Sequence, residues 1–160
     1  MSPSVVSGID VSHHQGTVDW EAVAGAGISF AYAKATEGSN FVDSQFAANW
    51  TGMKNAGIVR GAYHFFRPAA PVKAQVDQFV SVVKALGADD LPRVLDVEEA
   101  RTSAGQDEWK AFPIAQRIPI VLEWLEQAEE GLGRRPAIYT RRGFVKSCFG
   151  DPGGLTECLL

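Results

Sequence analysis

Asp96 and Glu98 stand two residues apart in the run Val94-Leu95-Asp96-Val97-Glu98. On an extended strand, residues i and i+2 point to the same side, with Cα atoms about 6.6–6.8 Å apart. Two carboxyl groups held this way in a desolvated hollow do not both ionise. Burial and mutual repulsion raise one pKa, leaving a protonated acid beside an ionised base. Hydrolysis of a glycosidic bond uses that arrangement. The same spacing fits a divalent-metal site of the Asp-x-Glu kind, or an exposed strand-end pair with no role. The spacing does not choose among the three.

Other reactive side chains fall where further apolar runs end. Asp10, in Gly8-Ile9-Asp10-Val11-Ser12, is a third carboxylate, equally readable as a turn or capping residue; His13 and His14 follow it. Adjacent side chains on an extended segment diverge, so this histidine pair reads as hydrogen-bonded loop rather than metal site. Lys34, Thr36 and Glu37 end the next run, Tyr63, His64 and Arg67 the one after, and Tyr139 and Arg141 the last. His64 alternates with Tyr63 and Phe65, which turns it toward the helices as a core histidine. Tyr32, Tyr63, Phe65 and Tyr139 either stack on a ligand ring or pack the interior. Trp20, Trp50 and Trp124 sit in helical patterns and read as core. The chain has no glycine-rich phosphate loop, Gly-x-Ser-x-Gly elbow or Cys/His pairing.

The elements that must position these groups alternate in kind. Short apolar runs at 5–11, 28–35, 58–66, 91–98 and 136–140 predict strands. Helical patterns are predicted at 18–26, 43–55, 71–86 and 113–132, the last carrying Ile114, Ile118, Val121, Leu122, Leu125 and Leu132 at helical spacing. Pro119 predicts a kink or break in that helix. Strands too apolar to be half-exposed, separated by helices, imply a parallel α/β sheet covered by helices. Reactive groups in such folds gather at the C-terminal strand ends. Five strands in succession ending in polar residues therefore point to one shared pocket.

The 160 residues suit one domain spanning 1–160, with 46% hydrophobic and 21% charged residues, an ordinary globular mix. The net charge is −4, and no basic run is long enough for a nucleic-acid arm. No apolar stretch reaches the ~20 residues of a membrane helix, and no signal peptide is visible in the first residues. Cys148 and Cys158 are ten apart, weak grounds for a disulfide and weaker for a metal. A full eight-stranded barrel needs about 250 residues. The expectation is thus an incomplete barrel of about five βα units, C-terminally short.

Five segments, Gly8-Ile9-Asp10-Val11-Ser12-His13-His14-Gln15-Gly16, Val18-Asp19-Trp20, Lys34-Ala35-Thr36-Glu37-Gly38, Gly61-Ala62-Tyr63-His64-Phe65 and Leu95-Asp96-Val97-Glu98, together resemble the family 25 glycoside hydrolases, the Chalaropsis-type muramidases. Each segment is weak alone; the five in order are specific. The resemblance implies an irregular (β/α) TIM-like barrel that cleaves the β-1,4 bond between N-acetylmuramic acid and N-acetylglucosamine in peptidoglycan, without metal or organic cofactor. It implies Glu98 as general acid, and Asp96 either assisting the substrate's N-acetyl group or orienting a water. Asp10 becomes a third active-site carboxylate, while Glu37, Tyr63 and Tyr139, together with Tyr32 and Lys34, lie near bound sugar. The expected partner is the bacterial wall glycan, with no nucleic acid or membrane, met by a monomer that is extracellular, wall-bound or a phage lysin. A wall-binding module that no longer cuts is the alternative, and a metal-dependent hydrolase using Asp10, Asp96 and Glu98 a remoter one.

Overall fold

The computed structural model describes residues 5–83, 87, 89–151, 153 and 155. The potential pairing partner of Cys148, Cys158, lies outside the described residues.

Six strands form one sheet: β1 (Ser7–Val11), β2 (Ile28–Glu37), β3 (Phe41–Val42), β4 (Val59–Phe65), β5 (Val94–Asp96) and β6 (Ala137–Tyr139). The order is β1-β2-β4-β5-β6, all parallel, with β3 folding back antiparallel on β2. Helices α1 (Trp20–Gly25), α2 (Phe46–Asn55), α3 (Val72–Val83) and α4 (Ile114–Leu132) intervene, and α5 (Arg142–Cys148) follows β6. This is the α/β arrangement that the alternation implied. Among the described residues β1 and β6 are the sheet's edges.

Alternation along the strands divides the sheet into two faces. Ala31, Ala33, Ala62, His64, Leu95 and Ile138 are fully or almost fully buried, on the side where Phe79 of α3 and Trp124 of α4 pack against His64. Small alanines on the central strands let the helices sit close. The opposite face carries Asp10, Tyr32, Tyr63, Asp96 and Tyr139. Here two glycines accommodate aromatic rings: a Cβ on Gly8 would meet the Phe30 ring at 2.2 Å, and one on Gly61 the Tyr32 ring at 2.2 Å.

Several expectations need correction. The strand expected at 91–98 is regular only over Val94–Asp96; at its start Pro92 has no N–H for a ladder. The helix expected from residue 43 begins at Phe46. Asp43 instead accepts from the Gln45 and His13 backbone N–H groups, at 2.9 and 3.0 Å. Pro119 does not divide α4, which runs unbroken to Leu132. As the sixth residue of the helix it forfeits one intrahelical bond, the one its missing N–H would make to the Ala115 carbonyl. Trp50 is half-buried rather than core, lying against Phe46 and Arg60. Neither β3 nor α5 was anticipated.

Candidate active site

Asp10, Tyr32, Tyr63, Asp96, Glu98 and Tyr139 line one cavity of about 290 Å³, floored by Gly8 and Phe30. The ladder explains the convergence. Asp10 is paired with Tyr32 across β1 and β2, and Asp96 with Tyr139 across β5 and β6. Asp96 ends β5, and the Val97 N–H extends the ladder to the Tyr139 carbonyl at 2.9 Å, so Glu98 continues in the extended direction on Asp96's side.

Asp96 is 9% exposed. Burial, reinforced by the charge of Glu98 and opposed by Lys34, pushes its carboxyl up to about 7. One of its oxygens, Oδ1, is buried without a hydrogen-bond partner among the described residues. Burial first, and the neighbouring Glu98 second, thus keep Asp96 partly protonated near neutrality. Glu98 sits nearer solvent and accepts from Arg141 Nε at 2.7 Å, while the other side of the guanidinium engages Glu99. The three phenols stay protonated and available as donors. Tyr63 is raised by burial and by the surrounding carboxylates, Tyr32 by burial, and Tyr139 by burial and the charge of Glu98.

Lys34 and Glu37 lie beside this cavity rather than in its lining. The parallel register between β2 and β4 jumps from Lys34↔Tyr63 to Thr36↔His64, leaving Ala35 as an extra residue. This irregularity flips the alternation. Thr36 therefore faces the helices with His64, and Glu37 returns to the Lys34 side, where it accepts from the Lys34 ammonium. Glu37 lines a second cavity of about 570 Å³, with His13, Phe41, Arg67 and Glu108. His13 is held there in a single 3-10 turn, His13–Gln15, rather than in an irregular loop, its Nδ1 2.7 Å from the buried Asp43 carboxylate. Those hydrogen bonds outweigh burial and lower the Asp43 pKa.

Two residues of the site were not foreseen. Trp109, in a single 3-10 turn at Glu108–Ala111, donates its indole N–H to the Glu98 carbonyl at 2.8 Å. It is 1% exposed and wedged among Phe66, Phe144 and Phe149. Its neighbour Glu108 turns the other way and binds Arg67. The local signal is Asp107, whose side chain caps the turn by accepting from the Trp109 N–H.

The family profile described as Glycosyl hydrolases family 25 matches residues 9–157. The chain belongs to this family. Lysozyme M1 of Streptomyces globisporus is 53% identical over 155 residues, covering 95% of this chain and 52% of that protein. An N,O-diacetylmuramidase of Arthroderma benhamiae is 32% identical over 148 residues, covering 91% and 62%. A bacterial lysozyme structure from Streptomyces coelicolor superposes with a TM-score of 0.87 at 38% identity, over 99% of this chain and 73% of that one. The chain spans about half the length of the first of these relatives.

Proposed function

We propose that this chain is the acid-bearing part of a muramidase that hydrolyses the β-1,4 bond between N-acetylmuramic acid and N-acetylglucosamine in bacterial peptidoglycan. The observation that carries the reading is the convergence of Asp10, Asp96 and Glu98 on one cavity, with Asp96 buried beside its neighbour. Two close carboxyls in a desolvated site share one proton, and the titration belongs to the pair.

In the resting site the proton lies on Asp96 and Glu98 pairs with Arg141. Once substrate displaces Arg141, the proton passes from Asp96 to Glu98, at the more open side, and Glu98 delivers it to the glycosidic oxygen. The bond from the anomeric carbon to that oxygen then breaks. Asp96 assists the N-acetyl group or orients the water that adds to the anomeric carbon, and the proton released by that water restores the pair. Asp10 supplies negative charge toward the developing oxocarbenium character. Tyr32, Tyr63 and Tyr139 offer ring faces and neutral donors to the sugar, and Glu37 with Lys34 borders it. No step calls for a cofactor. The parallel sheet, with helices on one face and the cavity on the other, is read as an arc of an irregular (β/α) TIM-like barrel. The protein meets the wall glycan outside the cytoplasm, as a monomer.

Glu98→Gln keeps the shape and removes the proton donor. Its expected effect is a loss of wall lysis of at least ~100-fold, the usual scale for removing a general acid, with an unchanged thermal midpoint. Turbidity clearing of purified walls measures it. Lysis near the original rate excludes Glu98 as the acid.

A further inference from the structure

Arg67 lies just beyond β4, where the chain turns toward α3, and its guanidinium reaches in three directions. Nη1 donates to Glu37 Oε1 at 3.3 Å, and Nη2 donates to the Glu108 carboxylate and to the Arg101 carbonyl at 2.8 Å. Glu37 in turn accepts from Lys34. The four side chains make an alternating row, Glu108⁻, Arg67⁺, Glu37⁻, Lys34⁺. They are drawn from the 3-10 turn, the end of β4 and both sides of the β2 bulge.

The ends of the row are its most enclosed members, with side-chain exposures of 4% for Glu108 and 7% for Lys34. The backbone of Arg67 is itself clasped. Its N–H donates to Gln75 Oε1, and its carbonyl accepts from Gln75 Nε2, both at 3.0 Å. At the far end, the Lys34 ammonium sits 4.9 Å from the centroid of the Phe65 ring, and Phe65 is the ladder partner of Asp96. A lysine has a long flexible stem; the Phe65 and Phe41 rings, at 4.9 and 5.6 Å, border this ammonium, and Glu37 is the ionic partner that fixes it between them. The proposed hydrolysis gives neither Arg67 nor Glu108 any direct part.

We propose that Arg67 and Glu108 are positioning residues, anchoring Glu37 and through it the Lys34 ammonium beside the Asp96 carboxyl. The proposal deepens the muramidase reading and takes its functional meaning from it. Asp96 faces Glu98 on its own segment, Asp10 from β1, Tyr63 from β4, Tyr139 from β6, and the Lys34–Glu37 pair from β2. Arg141 stands behind Glu98. Burial and Glu98 favour the protonated form of Asp96, Lys34 opposes them, and Asp10 and Glu37 add to the push. Removing the Arg67 charge leaves the row more negative and Glu37 unanchored, so Asp96 keeps its proton to higher pH. Removing the Glu108 charge leaves the row more positive, with the opposite result. General damage to the fold has no reason to produce shifts of opposite sign.

The test is a carbon-13 NMR titration of the Asp96 carboxyl in the full chain, comparing wild type, Arg67→Gln, Glu108→Gln and the conservative Arg67→Lys. The expected midpoints move up by about 0.3–0.6 pH units in Arg67→Gln and down by a similar amount in Glu108→Gln, the scale of one charge across a screened path. Arg67→Lys stays near wild type. The pH profile of wall lysis moves in the same directions, with the rate of Arg67→Gln reduced roughly 3–10-fold. Coincident midpoints in folded variants overturn the proposal. Should Arg67→Gln fail to fold, Glu108→Gln decides alone, and no downward movement overturns it. A wild-type protein that lyses no wall counts against the muramidase reading, while the titration still decides the positioning roles.

Discussion

The two faces of the sheet treat buried polarity in opposite ways. On the helix-covered face, His64 is fully buried with Thr36 and Gln75. Gln75 Nε2 donates to the Arg67 and Ala70 carbonyls, each at 3.0 Å, so its Oε1 is the acceptor for the Arg67 N–H. His64 Nε2, 3.1 Å from that same Oε1, must then carry the hydrogen. Its Nδ1 is left to accept from the Thr36 hydroxyl at 2.7 Å. Every polar atom of the trio has a partner, and burial holds His64 neutral, down to about 4. Outside the trio, the Trp124 indole N–H and Asn49 Nδ2 are buried on the covering helices without a partner among the described residues. On the cavity face, Asp96 has an unpartnered oxygen and like charges for neighbours. One sheet thus carries a satisfied, stabilising network on one side and a costly, reactive one on the other. The same strand, β4, serves both through alternate residues.

The largest expected effect that sharpens this contrast lies on the helix-covered face. Trp124 is fully buried, stacked on His64 with centroids 5.3 Å apart and against Phe79 at 5.6 Å. Trp124→Ala is expected to cost about 3–5 kcal/mol, read as a lowered urea midpoint. A cost below ~1 kcal/mol would show that this face is not the seat of stability.

The cavity face should respond with the reverse sign. Asp96 rises to about 7 in the fold, against about 3.9 unfolded. Below pH ~4 both states hold the proton. Between about 4 and 7 only the unfolded chain ionises, so Asp96 removes stability as pH rises through that window. Asp96→Asn is therefore expected to stabilise the protein by roughly 1–3 kcal/mol at pH 8 and by about nothing at pH 4, while wall lysis is lost. Thermal unfolding at the two pH values measures it. Equal stability of the two proteins at pH 8 would put Asp96 in a solvated setting.

How much of this was legible in the sequence differs between the faces. The helix-facing side was readable because burial writes a period. Alternation around His64 marked it as core, and the apolar spacing from Ile114 to Leu132 gave α4 its end at Leu132. The cavity side was readable where regular strands end, which brought Asp10, Asp96 and Tyr139 together. It was not readable where regularity breaks. The extra residue at Ala35 moves Glu37 to a face that strict alternation denies it, and alternation cannot announce its own interruption. The two-residue strand Phe41–Val42 is too short for any period. Trp109 and Glu108 act from a loop turn ten or more residues beyond Asp96, where contact depends on tertiary packing alone.

The smallest effect tests the satisfied network itself. Thr36→Val preserves shape and removes the hydroxyl that reaches His64 Nδ1. The buried nitrogen then lacks its donor, at an expected cost of about 1–2 kcal/mol. The pH dependence identifies the group responsible. His64 is lowered from about 6.5 to about 4 in the fold, so above pH ~6.5 both states are neutral. Between about 6.5 and 4 only the unfolded chain takes up the proton, and stability falls as pH falls. Asp96 works in the opposite sense over nearly the same interval, which flattens the wild-type curve. In the Asp96→Asn background the His64 slope stands alone, with stability rising from pH 4 to 6.5. Adding Thr36→Val there should lower the whole curve while leaving that rise in place, because burial, the main cause of the His64 shift, is unchanged. A curve for Asp96→Asn that is flat across this range would mean that His64 does not stay neutral inside the fold.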